Sequence, residues 1–318
     1  MPNQLGTLSP AEVTLEVIAI LKKRFPQITA ISTDFSSAAV KFNQNVISRV
    51  VVPQPAQDYD TVNGYVAESS VTQDVPVTIN KHKHVSLAFN DQELSSTVRN
   101  LPQEQLEGAA YSLGRQISLD LWGQAVVANF GTPASGNTQN AAVSVTAVGN
   151  VTRQTLLAIR AALSKAGAGP NRFGLVNADV FAALGADATI VSRFYYNDEP
   201  DFMQGVLENL AGFEKIIEYA ELPNAPTGTG AGNLGWFGTP AGLVFASRVP
   251  ADPGMFVTDV PVPAKIQNVS DPDTGLTIQY RYMYDPWKGK LQMTLTLMYG
   301  VAIGVPGHAI LLVQGAGA

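Results

Sequence analysis

The sequence predicts an α+β fold in which long extended regions at both ends of the chain flank a compact α/β unit. Three observations carry this. Residues 40–53, 75–89, 263–284 and 290–303 are rich in β-branched and apolar side chains, so both outer thirds read as strands. Leu106, Ala110, Leu113, Ile117 and Leu121 recur at spacings of four and three, which places one apolar stripe on a long helix. From residue 151 onward, helical and strand patterns alternate.

Ser9-Pro10-Ala11-Glu12 opens the first helix, with a serine N-cap, proline at the first helical position and a carboxylate in the positive first turn. That helix runs to about Arg24 and stops before Pro26. Its tip, Lys22-Lys23-Arg24, suits the negative end of the helix dipole, and the same three cations are candidates for interior-facing phosphate contacts. VKFNQNVISRVVVP, residues 40–53, reads as a strand stopped by PQP. A polar, turn-rich stretch covers 54–74 before VPVTINKHKHVSLAFN returns as a second extended arm. A long hairpin is the expected result.

Pro102 sits in the first turn of the second helix, which would have about 28 residues and a length of about 42 Å if it reached Asn129. Helices of that length act as spines. Residues 131–149 are a Gly/Ser/Thr/Asn/Ala connection with two weak strand fragments. A helix is expected over 152–165, a GAGPN turn, a strand over 172–176, and a helix over 178–184 capped by Asn177. Another helix is expected over 202–210, a strand over 214–219, a PTGTGAGNLG loop over 226–235 and a buried strand over 243–247. The final strands turn internally at Asp271-Pro272-Asp273-Thr274-Gly275 and are joined by Asp285-Pro286-Trp287-Lys288-Gly289. Antiparallel pairing follows.

The 318 residues suffice for one large or two medium domains with a real core. Hydrophobic residues make up 46% and charged residues only 14%, against about 25% in an ordinary soluble domain, so much of the surface is uncharged. Such a surface suits a protein covered by copies of itself or by partners. The formal charge of -6 gives the whole chain no attraction for nucleic acid, although it leaves room for a local basic patch. Without cysteine there are no disulfides, thiolate nucleophiles or Cys-bound zinc. The N-terminal residues lack a secretory pattern, and the apolar run over 301–313 is broken by Pro306, Gly307 and His308, too short for a membrane span. A soluble protein made in a cytosol is expected.

His82 and His84 stand two apart, so on a strand they point the same way and offer two imidazoles to one ion. A third ligand would have to be a carboxylate such as Asp74, Asp91 or Glu93, or His308. Parity argues against metal. Val75, Val77, Ile79, Val85, Leu87 and Phe89 hold odd positions, which puts both histidines on the polar face and Lys81 and Lys83 on the apolar one. Two lysines interrupting an apolar face mark a strand that leaves one packing environment for another. GAGNLG, residues 230–235, matches a dinucleotide fingerprint in letters but neither follows a buried strand nor opens a helix, and it reads as a loop. The turn at Asp271 has Leu276 and Tyr282 where a calcium loop needs glycine and glutamate. Acidic groups at Asp58 with Asp60, and at Asp198, Glu199 and Asp201, lie in turn-like stretches without an aromatic cleft. No nucleophile elbow, zincin motif or phosphate-binding loop occurs. An enzyme, a catalytic residue, a metal or a cofactor is therefore not predicted.

The order of elements, together with three segments, resembles the major capsid proteins of tailed bacteriophages, the Hong Kong 97-like fold. VPVTINKHKHVSLAFNDQELSS followed by LEGAAYSLGRQISLDLW is similar to that family's extended arm, polar turn and spine helix. DPDTGLTIQYRYMYDPWKGK resembles its peripheral-domain turn and paired strands, and GAGPNRFGLVNADVFAAL its axial strand and helix. The likeness covers about residues 9–304 and is one of structural patterns, not chemical fingerprints.

The resemblance implies an N-terminal arm over 1–39, an extended loop (E-loop) over 40–90, a spine helix and peripheral domain over 91–150, an axial domain over 151–250 and peripheral strands with the C-terminus over 251–318. It implies self-assembly through pentamers and hexamers into an icosahedral virion shell around double-stranded DNA, assembled in the host cytoplasm. Asp58, Asp60, Lys81 and Lys83 become candidates for intersubunit contacts on the arm, and Lys22, Lys23 and Arg24 for interior-facing cations. The axial region has no room for an inserted β-domain, and no long helical scaffold extension is present. A separate scaffolding protein, a portal protein and decoration proteins are the partners this implies, with DNA contacted weakly and no membrane. An encapsulin-like nanocompartment shares the fold and is the main alternative; a phage tail protein would explain the strands but not the spine.

Overall fold

The computed structural model describes residues 10–39, 42–51, 58–59, 61–62, 72–96, 101–130, 142–188, 190, 206–222, 232–251, 264–271 and 274–315. Helix α1 (Pro10–Arg24) and strand β1 (Ser32–Ala39) lead into a two-stranded arm of β2 (Asn45–Val51) and β3 (Thr72–Thr78). Strand β4 (Lys81–Asn90), the short helix α2 (Asp91–Ser96), the long helix α3 (Leu101–Trp122) and the single turn α4 (Val127–Phe130) follow. The middle of the chain forms β5 (Val143–Val145), α5 (Arg153–Lys165), β6 (Phe173–Val176), α6 (Ala178–Ala186), β7 (Val206–Leu210), β8 (Phe213–Glu218), β9 (Gly232–Gly238) and β10 (Leu243–Val249). Strands β11 (Ala264–Asp271), β12 (Leu276–Asp285), β13 (Lys290–Ile303) and β14 (Ala309–Gln314) close it.

The strands build two six-stranded sheets beside the arm. One runs β1-β10-β13-β12-β11 with β4 added on β13. At 14 residues β13 is long enough to hold two antiparallel partners in tandem, β12 along 290–296 and β10 along 298–303, while β4 covers 290–299. The other sheet runs β5-β14-β9-β6-β8-β7. The sheets do not follow the expected boundary at residue 250: β10 pairs in the long-strand sheet, and β14 sits between β5 and β9 in the compact one. The C-terminal strand therefore ties the two units together.

Helix α3 is the spine between them. Its whole apolar stripe is buried, Leu106 through Leu121, with α1 packed on one side and strands β4 and β13 on the other. Gly114 permits the close approach of α1, since a Cβ there would fall 2.5 Å from Leu21 Cδ2. The spine has 22 residues, about 33 Å, and not the 28 expected. It stops because the backbone tightens at its end: the Gln124 and Ala125 amides bond to Leu121 and Trp122, three residues back. Trp122 is then wedged edge-on against Trp236 of β9, ring centroids 5.3 Å apart, with Phe130 on the same indole. A straight continuation would lose that packing.

Two further expectations are overturned. Residues 206–210 form β7 and not the end of a helix, because Asn209, Ala211 and Gly212 all take positive φ and fold β7 back on β8 as a tight hairpin, with Leu207 and Leu210 in the core. The GAGNLG stretch enters a strand at Gly232 and is not wholly loop. Gly235 lies where a Cβ would come within 2.9 Å of the Leu175 carbonyl, so the glycine lets β9 pack tightly beside β6. The expected helix at 152–165, the strand at 172–176 and the Asn177 cap are present; the Asn177 Oδ1 accepts the Val180 amide at 2.9 Å.

Candidate assembly interface

The arm has a seated root and exposed apolar side chains among its described residues. Strands β2 and β3 pair antiparallel from Asn45 opposite Thr78 to Val51 opposite Thr72, and the Thr78 hydroxyl donates to Asn45 Oδ1 at 2.7 Å. At the root, Val75, Val77 and Ile79 bury themselves against Val244, Ala246 and Met298. Gly300 of β13 makes this seat: a Cβ there would lie 2.1 Å from the Thr78 carbonyl. Phe42 and Ile47 are exposed at the level of the root, and Tyr59 and Val62, in the connection between β2 and β3, are exposed as well, Val62 at 87%. A two-stranded ribbon is at best marginally stable in water by itself, so an arm with exposed apolar side chains is suited to lie on another surface.

The KHKH stretch marks the junction of root and sheet. Strand β3 ends at Thr78 and β4 begins at Lys81, so the chain does change packing environment here. Along β4 the even positions are exposed and the odd ones covered. His82 and His84 thus lie on the polar face; His82 Nε2 meets the Thr296 hydroxyl at 2.8 Å, and burial, then His84 and Arg281, lower its pKa. Among the described residues no cluster of His, Asp and Glu is placed to hold a metal ion.

Lys81 and Lys83, expected to meet a neighbouring subunit, are instead engaged by Asp120 of their own spine helix. The Lys81 ammonium lies 2.9 Å from Asp120 Oδ1, that of Lys83 3.7 Å from Oδ2, and the Tyr299 hydroxyl donates to Oδ2 at 2.6 Å. Burial pushes the Asp120 carboxyl up, but the Tyr299 hydroxyl and the two ammonium groups outweigh it and hold the carboxyl below the ordinary carboxylate value. Burial, with the Asp120 hydrogen bond, raises the Tyr299 phenol. One carboxylate therefore pins β4, β13 and the spine at the base of the arm. The lysines occupy apolar-face positions because their stems pack inward while their heads reach Asp120.

The basic tip of α1 is also largely structural. Lys22 pairs with Asp271 at 2.9 Å, tying the helix to the β11–β12 turn, where Thr274 donates its amide and hydroxyl to the same carboxylate. Arg24 reaches Glu107 of the spine at 3.0 Å. Of the three expected interior cations, two thus have intrachain partners and Lys23 remains exposed. Lys23 and Arg24 border a cleft of about 410 Å³, whose aromatic lining is Phe25, Tyr111 and Tyr219 and whose far rim carries Arg115, paired with Glu221 at 2.7 Å.

Asp58 is exposed on the arm, while Asp60, Asp198, Glu199 and Asp201 lie outside the described residues. Sequence reasoning did not single out Asp120, Tyr299 or Gly300. A signal existed for the first: Asp120 lies three residues after Ile117 and seven after Leu113, at the border of the apolar stripe where a charge needs a partner. Tyr299 and Gly300 carried no such mark within an apolar strand. Among the described residues, no helix is long and apolar enough to cross a membrane.

No family model and no curated protein matches the chain by sequence. Solved structures do match it in fold. The capsid of an empty GTA particle aligns with TM-score 0.56 and 12% identity, covering 93% of this chain and 90% of that one. The capsid of Ralstonia phage GP4 aligns at 0.54 and 11%, covering 91% and 88%. The capsid of cyanophage P-SCSP1u aligns at 0.53 and 14%, covering 91% and 87%. The chain has the α+β, Hong Kong 97-like fold of phage capsid proteins.

Proposed function

We propose that this chain is a major capsid protein that assembles through pentamers and hexamers into an icosahedral virion shell around phage double-stranded DNA. The observation that carries the reading is the arm: a ribbon fixed at its root by Gly300 and Asp120 that still presents Phe42 and Ile47 to solvent fits a subunit whose cover is supplied by a neighbour. The capsid fold over about nine-tenths of the chain supports it.

The mechanism is mechanical and not catalytic. Each subunit would bury surface on several neighbours, at about 25 cal/mol per Å² of apolar area, so that many modest contacts hold the shell. Heterologous contacts close into rings, and the angle between rings closes the shell. Asp58 on the arm would set register on the neighbour more than affinity, while Lys81 and Lys83 act indirectly by aiming the arm. A scaffolding protein would guide curvature, a portal protein would mark one vertex, and decoration proteins would strengthen the lattice. The net charge of -6 suits a container whose wall touches DNA only weakly, with Lys23 left to offset part of the repulsion.

Nuclease protection tests this reading. Particles purified from cells making the chain with its neighbouring genes should shield double-stranded DNA from nuclease. Particles holding a protein cargo and no DNA would favour the encapsulin-like alternative. Uniform shells from the chain expressed alone would refute the need for a separate scaffold.

A further inference from the structure

The sheet that seats the arm has two unlike faces. Odd-numbered residues of β4 turn to the spine, where Lys81 and Lys83 reach Asp120. On the opposite face His82, His84 and Arg281 converge on one rung. His84 lies across from Thr296 of β13, and Thr296 across from Gln279 of β12. His82 Nε2 meets the Thr296 hydroxyl at 2.8 Å, and Arg281 Nε donates to Gln279 Oε1 at 2.6 Å. Because the Thr296 hydroxyl already donates to the Lys83 carbonyl at 3.2 Å, His82 supplies the proton of their bond. Burial, then His84 and Arg281, lower the His82 pKa, as befits like charges gathered without an anion. Asp34 and Asp285, the strand carboxylates whose register puts them on this face, already hold Arg248 at 2.6 Å and Lys288 at 4.0 Å. Elsewhere Arg24, Arg115 and Lys215 pair with Glu107, Glu221 and Glu208. Arg281 instead bonds to neutral groups, the Gln279 amide and the Ala251 carbonyl.

The arm has the complementary charge. Residues 50–80 carry four carboxylates, Asp58, Asp60, Glu68 and Asp74, and no Lys, Arg or His. Asp58 is exposed beside the exposed Tyr59 and Val62. The sheet face offers apolar surface as well, since Met283, two residues along β12 from Arg281, is 37% exposed and a thioether adapts to varied partners. The chain's own arm seats its root at one end of this face, on Val244, Ala246 and Met298, and leaves His84 and Met283 exposed. We propose that the arm of a second copy lies across this face, with Asp58 against Arg281 and the two histidines and with Tyr59 and Val62 on Met283. Such a contact is heterologous, and opposite charges fix its register. It rests on the shell reading and names the surface of the neighbour that receives the arm.

A chain without cysteine allows a direct test by cross-linking. Tyr59→Cys with His84→Cys, produced as the full chain with its neighbouring genes, is treated with diamide, which takes two hydrogens from a thiol pair and leaves a disulfide. Copies should join into a ladder of dimers and higher multimers on a non-reducing gel. Tyr59→Cys with Leu157→Cys, an exposed position on α5, should give no more than a trace. Charge exchange reads the same contact: Arg281→Glu and Asp58→Arg should each lower particle yield in sedimentation at least about tenfold, and the two together should restore it. If Arg281→Glu lowers the melting temperature, His84→Glu at an exposed position takes its place. Shells whose copies stay unlinked, or link equally through Leu157, would overturn the contact and leave the shell reading intact, as would a charge exchange that restores nothing. A parent chain that forms no particles would overturn both.

Discussion

At the scale of single residues, Asp120 is the group on which the arm's aim depends. Its carboxylate takes two ammonium groups and a phenol while its side chain is only 15% exposed. Asp120→Asn should cost about 1–3 kcal/mol, a fall of a few degrees in melting temperature measured by circular dichroism. The pH dependence has a definite sign. Asp120 and Asp271 both titrate below the ordinary carboxylate value, so their contribution is complete above the unfolded pKa and is lost as pH falls through the lowered ones. Melting curves between about pH 5 and pH 2 should therefore fall less steeply for Asp120→Asn than for the parent chain. His82 works in the same direction at milder pH: its lowered pKa means that stability declines as pH drops below the ordinary histidine value, and His82→Gln should remove that step. Lys81→Glu with Lys83→Glu, which faces Asp120 with two more carboxylates, should destabilise the chain far more than His82→Gln with His84→Gln.

At the scale of elements, two glycines set how closely the pieces approach. Gly300→Ala should push the Thr78 carbonyl away from β13 and unseat the arm, costing about 1–3 kcal/mol and speeding proteolysis within the arm. Gly114→Ala is sharper, because helix propensity alone would favour alanine by about 1 kcal/mol. A net loss of stability would show that the contact with Leu21 and Phe25 decides. What the sequence disclosed about elements follows the same physics. The spine stripe, the Asn177 cap and the final antiparallel strands were legible because each rests on a local pattern or on chain neighbours. The spine's end at Trp122, the β7–β8 hairpin and the glycine-bearing β9 were not, since each is fixed by partners distant in sequence: Trp236 for the spine, the core around Leu207 for the hairpin and Leu175 for β9. The candidate interface was half legible. Parity placed the histidines outward and the lysines inward, yet nothing within β4 revealed that Asp120, 39 residues away, would receive Lys81.

At the scale of the molecule, two sheets share one spine and exchange strands, β10 passing into one and β14 into the other. Trp122 and Trp236 pack together at the spine's end, in a core to which both sheets contribute. A closed lattice requires each copy to fix the orientation of the next, which an arm seated at its root is suited to do. Ile47→Asp, on the exposed face of β2 opposite Pro76, should leave the circular dichroism spectrum unchanged and abolish particles in sedimentation. The most direct test of the whole account is negative-stain electron microscopy of the purified chain, produced with and without its neighbouring genes. The account predicts closed, uniform shells built of five- and six-membered rings when those genes are present. Monomers, open fibres or small fixed oligomers under every condition would contradict it.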